Sequence, residues 1–173
     1  IILVGGIVLP GPGLALGHIE ASRFIFGVST MAAAVLVPLL FYRAFAAAPL
    51  PEVLRPSWFI LLVPPSLIYA NGIALFPGSE WLELLFAFGL VLAAALLVYA
   101  RSFWRWRFGP PWWAFTFPLD ALAYAAMRYA QDHPEALWKW VAGASLAVAT
   151  FFVGLVLVRQ LIGFVSPSSR ASG

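Results

Sequence analysis

Asp120 is an acid within an otherwise apolar stretch, TFPLDALAYAA, two residues beyond Pro118. Comparable apolar stretches carry Ser66, Tyr69, Asn71, Thr116 and Tyr124. Hydroxyl and amide groups in such places can hold a partly dehydrated anion weakly enough to release it, and can equally bond from helix to helix. Nucleophilic and metal chemistry find no residues here. The chain has no cysteine, and its two histidines, His18 and His133, lie far apart. Asp132 and His133 are neighbours beside Pro134, and adjacent residues in a connection seldom converge on one metal. No catalytic residue, metal site or cofactor is expected, so the chain is not expected to be an enzyme.

The elements that position these groups follow from composition. Of 173 residues 63% are hydrophobic and 10% charged, with mean hydropathy +0.95. A soluble domain carries roughly 25% charged residues, so there is too little polar side chain to cover a surface facing water. Lipid is the expected solvent, and the bilayer the first partner. A hydrocarbon core of about 30 Å takes roughly 20 apolar residues per helix. Five such runs are present, at about 21–45, 58–76, 81–100, 112–130 and 137–164, after a partial one at about 1–16 broken by Gly and Pro. The expected fold is an all-α, polytopic transmembrane helical bundle. The opening on Ile1, within an apolar run, suggests a fragment, and the Ser-rich stretch 166–173 is expected to be a C-terminal tail.

Charge divides the connections into two sets. One holds seven of the ten basic residues (Arg43, Arg55, Arg101, Arg105, Arg107, Arg159, Arg170) and the single acid Glu52. The other holds Arg23, Arg128 and Lys139 with Glu20, Glu80, Glu83, Asp132 and Glu135. The excess of arginine marks the first set as cytoplasmic. The C-terminus is therefore expected inside a multi-pass protein of the cell (plasma or inner) membrane, and the spans starting near Trp58 and Trp112 run outward. The interleaved WRWRF at 104–108 resembles a base-stacking pattern, but between two spans it is expected to be an interfacial anchor. No nucleic-acid partner is expected.

The chain also repeats itself. Pro56 matches Pro110, Trp58 matches Trp112 and Pro64 matches Pro118, each 54 residues apart, and Pro10 lies another 54 upstream of Pro64. A parallel repeat of that length is one helical hairpin. In each outward span the proline falls about six residues past the tryptophan, where it removes a backbone hydrogen bond that lipid cannot replace. Pro64, Pro65 and Pro118 are thus expected as kinks lining a cavity, with Ser66, Asn71, Thr116 and Asp120 as candidate polar groups on its wall. The returning spans lack interior charge, and their small clusters at 93–95 and 143–145 would allow close helix contact.

The strings VLPGPGLALGHIE, FIFGVS, PLLFYR, PLPEVLRPSWFILLVPPS and WWAFTFPLDALA, in this order and spacing, resemble the tellurite-resistance/dicarboxylate transporter family. It takes in the bacterial tellurite-resistance homologue TehA, yeast malate permeases and plant guard-cell slow anion channels. The resemblance implies ten spans as five hairpins around a central pore, trimeric association, and a chain that is the C-terminal half. It also implies that the aromatic before the proline of the ninth span, here Phe117, plugs the pore as a hydrophobic gate. Asp120 receives no role from the family. An acid mid-span costs roughly 2.5–3.5 kcal/mol, and three readings stay open: a protonated acid bonding a proline-freed carbonyl, a proton-coupling site, or a partner for a cation on another helix. The expected function is a channel or transporter for small inorganic anions or C4-dicarboxylates such as malate. A proton-coupled dicarboxylate carrier and a non-conducting assembly subunit are the rivals.

Overall fold

The computed structural model describes residues 2–48 and 50–165; the expected tail at 166–173, with Arg170, lies outside the described residues. Every regular element among these residues is helical. They comprise α1 (Ile2–Val8), α2 (Pro10–Ala15), α3 (Ile19–Ala46), α4 (Val63–Leu75), α5 (Glu80–Tyr99), α6 (Thr116–Asp132) and α7 (Ala136–Val165). Three 3₁₀ segments join them: Glu52–Leu62 runs into α4, Ala100–Arg105 follows α5, and Pro110–Phe115 runs into α6. Acids open the helices at one end of the bundle, Glu20 in α3 and Glu80 and Glu83 in α5, where they favour the positive helix terminus. Two of the tight turns at that end use left-handed glycines, Gly17 (φ 81°) and Gly78 (φ 77°).

Three prolines of the repeat, Pro10, Pro64 and Pro118, sit at the junctions of helical segments rather than inside them. Pro10 is the first residue of α2, Pro64 and Pro65 lie in the first turn of α4, and Pro118 is the third residue of α6. N–H groups in a first turn have no intrahelical acceptor, so a residue without one costs little there. The expected mid-helix kinks are therefore changes of helical pitch, from 3₁₀ to α, or a one-residue break at Leu9. Pro38 of α3 and Pro56 of the 3₁₀ segment Glu52–Leu62 have helix on both sides. The register of the repeat survives in space: Leu9, Val63 and Phe117, 54 residues apart, each immediately precede their junction proline.

Among the described residues, four helical stretches are long and apolar enough to cross a membrane: Ile19–Ala44, Glu52–Leu75, Glu80–Tyr99 and Ala136–Gly163. The fifth expected span is helical throughout from 110 to 132 but carries Asp120, Arg128 and Asp132. Burial differs sharply among these stretches. The apolar window of Glu52–Leu75 is 83% buried, against 17%, 28% and 22% for α3, α5 and α7. The core forms around α4. In its inner half Phe59 meets Phe115 edge-on at 4.6 Å, and Phe115 stacks on Phe152 at 4.9 Å. In its other half Phe86 stacks on Tyr129 at 4.5 Å.

Two details differ from the sequence reading. Trp106 of the WRWRF segment is buried and stacks on Phe115, so only Trp104 of that pair is an exposed ring. The small cluster at 143–145 contacts no neighbouring helix at Gly143. The seam of α7 against α6 instead uses Ala142, Ala149 and Val156, each seven residues from the next and each buried.

The first hairpin closes through small residues. A methyl at Gly6 would collide with the Ser29 hydroxyl, and one at Gly13 with that of Ser22, so two seven-residue spacings interlock across α1–α2 and α3. Gly6→Ala and Gly13→Ala should each lower the stability of the detergent-solubilised protein by about 1–3 kcal/mol. Ser29→Ala and Ser22→Ala, respectively, should return most of the loss in thermal-unfolding measurements; no recovery would show that the helices are held together elsewhere.

Candidate functional site

The three segments that carry the repeated proline junctions lie side by side, α1 and α2 against α4 and α4 against α6. Because α4 is recessed between the other two, it floors a groove whose walls are α1–α2 and α6. The inner part of this groove, about 490 Å³, is lined by Val8, Gly11, Pro12 and Ala15, by Leu67 and Asn71, and by Phe117, Asp120, Ala121 and Tyr124. A second part of about 700 Å³ continues from it, sharing Gly11, Ala15, Asn71 and Tyr124, and adds Glu83, Arg128, Asp132 and His133 at its mouth. Helix α6 supplies the long wall: Phe117, Asp120, Tyr124 and Arg128 recur at three- and four-residue steps on one face. Its opposite face, with Leu119, Leu122, Ala125 and Ala126, is buried.

Asn71 explains how the floor grips the wall. Its side-chain amide donates to the carbonyl of Ile7 at 2.7 Å in a buried position. The neighbouring carbonyls, of Gly6 and Val8, are the ones whose partners four residues on are Pro10 and Pro12, which have no N–H to give. The break in the first outward segment is thus braced by a side chain of the second. Gly11 permits the approach, since a methyl there would stand 2.8 Å from the Asn71 amide oxygen.

Of the sequence-predicted residues, Phe117, Asp120 and Asn71 meet in the groove. Phe117 is 42% exposed, directed into it rather than packed away. Asp120 is exposed to the groove and makes no hydrogen bond or ion pair among the described residues. The lining does not include Pro64, Pro65, Pro118, Ser66 or Thr116. Pro65 packs towards α5, where it neighbours Gly89; Pro64 and Pro118 are buried; Ser66 is buried. The Thr116 hydroxyl donates to the Trp113 carbonyl at 2.9 Å and so serves the helix junction.

The mouth carries residues that composition did not single out. His133 lies flat on Tyr129, ring centroids 3.9 Å apart, with one nitrogen 3.1 Å from the Tyr129 carbonyl and the other 3.9 Å from a Glu83 oxygen. Arg128, eleven residues beyond Phe117, stands about 16 Å further along the helix. Helical spacing from Phe117 could have placed it on the groove face; the nearness of Glu83, from another helix, could not have been read from spacing.

A sequence profile described as "voltage-dependent anion channel" matches residues 1–161. The chain belongs to this family. S-type anion channel SLAH3 of Arabidopsis thaliana is 28% identical over 163 residues, covering 92% of this chain and 25% of its own length. SLAH2 of the same plant is 28% identical over 149 residues, 84% of this chain and 28% of its own. The guard cell S-type anion channel SLAC1, also of Arabidopsis thaliana, is 24% identical over 149 residues, 84% of this chain and 26% of its own. The chain spans about a quarter of the length of these curated relatives. The family resemblance read from the sequence is thereby established, as is the all-helical membrane fold.

The Asn71 brace makes a direct prediction. Asn71→Asp keeps the shape but removes the donor of the buried bond to the Ile7 carbonyl, and should cost about 1–3 kcal/mol. Unfolding of the purified protein in detergent measures it; an unchanged transition would show that the carbonyl finds another donor.

Proposed function

We propose that the intact protein is a membrane channel for small anions, with the groove of this chain as part of its pore wall. The observation that carries the reading is the groove itself: three outward segments, each broken before a proline, pack side by side and present one continuous face. The relatives bear names of anion channels, and the same activity is assigned here to the complete protein. In this reading Phe117 is the gate. Its ring enters the groove at a level walled by Val8, Leu67 and Ala121, where apolar surface leaves a passing anion no water shell. Asn71 and Tyr124 lie beyond it as polar groups that can meet the ion. Arg128 sets a positive charge against Glu83 and Asp132 at the outer end.

The chain's share of the wall is incomplete by itself; the remaining wall is assigned to the rest of the same subunit, and a homotrimer is proposed as its assembly. The arginine-rich connections are placed in the cytoplasm with the C-terminus, in the plasma or inner membrane. Small inorganic anions are the proposed substrates, and C4-dicarboxylates such as malate the second class. A proton-coupled carrier draws on one specific feature, an acid three residues from the gate and open to the groove. Asp120 would there take up a proton as the anion passes.

Purified intact protein in liposomes separates these readings. Phe117→Ala should raise chloride or nitrate flux several-fold, because removing the ring opens the apolar constriction, whereas Phe117→Trp should not. Flux unchanged in Phe117→Ala would remove the gate. Flux that follows an imposed proton gradient in the wild type, and loses that dependence in Asp120→Asn, would establish the carrier instead.

A further inference from the structure

The two most apolar returning helices do not close against each other at their arginine-rich end. Between α5 and α7 lies a cleft of about 390 Å³, walled by Leu97 on one side and Val148 and Phe151 on the other. Phe103 and Phe152, buried with ring centroids 5.3 Å apart, make its floor. One charged residue borders it, Arg101, two positions past the end of α5 at Tyr99. Both helices are of membrane-crossing length and mostly exposed. A cleft of this kind in a lipid-facing surface does not hold water, which would lack polar partners. Left empty, it forfeits the dispersion contacts of its aromatic floor. Hydrocarbon fits it.

The charge at the border selects which hydrocarbon. Arg101 is exposed, and the ion pairs formed among the described residues, Arg23–Glu20, Arg55–Glu52 and His133–Glu83, leave it out. Glu52 is the single acid in the set of connections to which Arg101 belongs, and Arg55 holds it at 3.4 Å. Arg159, the nearby arginine of α7, lies over the rings of Trp112 and Trp104 at 4.9 and 5.5 Å. Arg101, just past the end of a helix of membrane-crossing length, therefore has no protein anion to meet among the described residues. We propose that this cleft is a binding site for an anionic phospholipid, one acyl chain lying against Phe103 and Phe152 and the phosphate on the Arg101 guanidinium. Guanidinium matches phosphate with paired, charge-assisted hydrogen bonds, and basic pockets between spans take anionic headgroups in this way. The exposed Trp104 ring, 6.5 Å from Phe151, flanks the same opening as an amphipathic interfacial group.

Native mass spectrometry of the intact protein, released from detergent with equal phosphatidylglycerol and phosphatidylcholine of identical chains, tests the site. The wild type should retain phosphatidylglycerol about five-fold better, the effect of one basic residue at a membrane surface. Arg101→Gln should equalise the two lipids, while Arg105→Gln leaves the preference intact. Val148→Trp, or the milder Val148→Leu, should lower retention of both by filling the cleft, with gel filtration reporting that the fold persists. Equal retention in the wild type, a preference that survives Arg101→Gln, or unaltered binding in both Val148 variants would overturn the proposal. So would displacement of phosphatidylglycerol by inorganic phosphate, which would mark a free-anion site.

Discussion

Hydrocarbon offers no partner to a bare carbonyl or amide, and that constraint governs where each helix of this protein can stand. Among the segments that contain the repeated prolines, the central one, 3₁₀ then α4, is almost wholly enclosed, and α6 buries the face opposite the groove. α5 and α7, whose ladders are intact, stand mostly exposed, and so does α3, which carries Pro38 within it. Backbone chemistry thus suits the enclosure of the central segment without by itself sorting every helix. The buried bond from Asn71 to Ile7 belongs to the same logic, since it satisfies the backbone beside a break by reaching across from the neighbouring outward segment.

This arrangement accounts for the groove. Three interrupted segments, packed in sequence with the middle one set back, leave a channel-shaped surface between the first and third. Small residues at Gly11, Ala15 and Ala121 keep that surface open, and the polar groups on it are few and widely spaced along the axis. The inner aromatic cluster, from Phe59 through Phe115 to Phe152, holds the 3₁₀ segments together where helical hydrogen bonding is poorest. Trp112 and Trp113 tie the same region down, donating to the Arg107 carbonyl at 2.9 Å and to the Gln160 side chain at 2.7 Å.

Much of this was legible in the residues. Hydropathy runs marked the helices, because lipid imposes a length and a composition that few other constraints imitate. The 54-residue repeat pointed to the outward segments as a set, because proline and tryptophan keep their places when other residues drift. Finer placements were not legible. A proline at a change of pitch and a proline inside a helix read alike in sequence, since both interrupt an apolar run; only the path of the chain before Pro64 and Pro118 separates them. Trp106 looked like an anchor because its neighbours are arginines, yet the 3₁₀ turn rotates it inward onto Phe115. Ser66 and Asp120 are equivalent in the repeat, but one is enclosed by helices on every side and the other borders the groove. The neighbours each helix packs against, which the repeat cannot encode, decide between them.

The equivalence of Leu9, Val63 and Phe117 has an evolutionary consequence. Duplicated hairpins supply the same station three times in this chain, and a large ring occupies it once. The scaffold around each station is set by its own proline junction, so the bulk placed there can change without rebuilding the helices. In the proposed pathway, tightness of closure becomes a property of one side chain, and descendants of a common ancestor can diverge in leakiness by altering that residue while inheriting the wall unchanged.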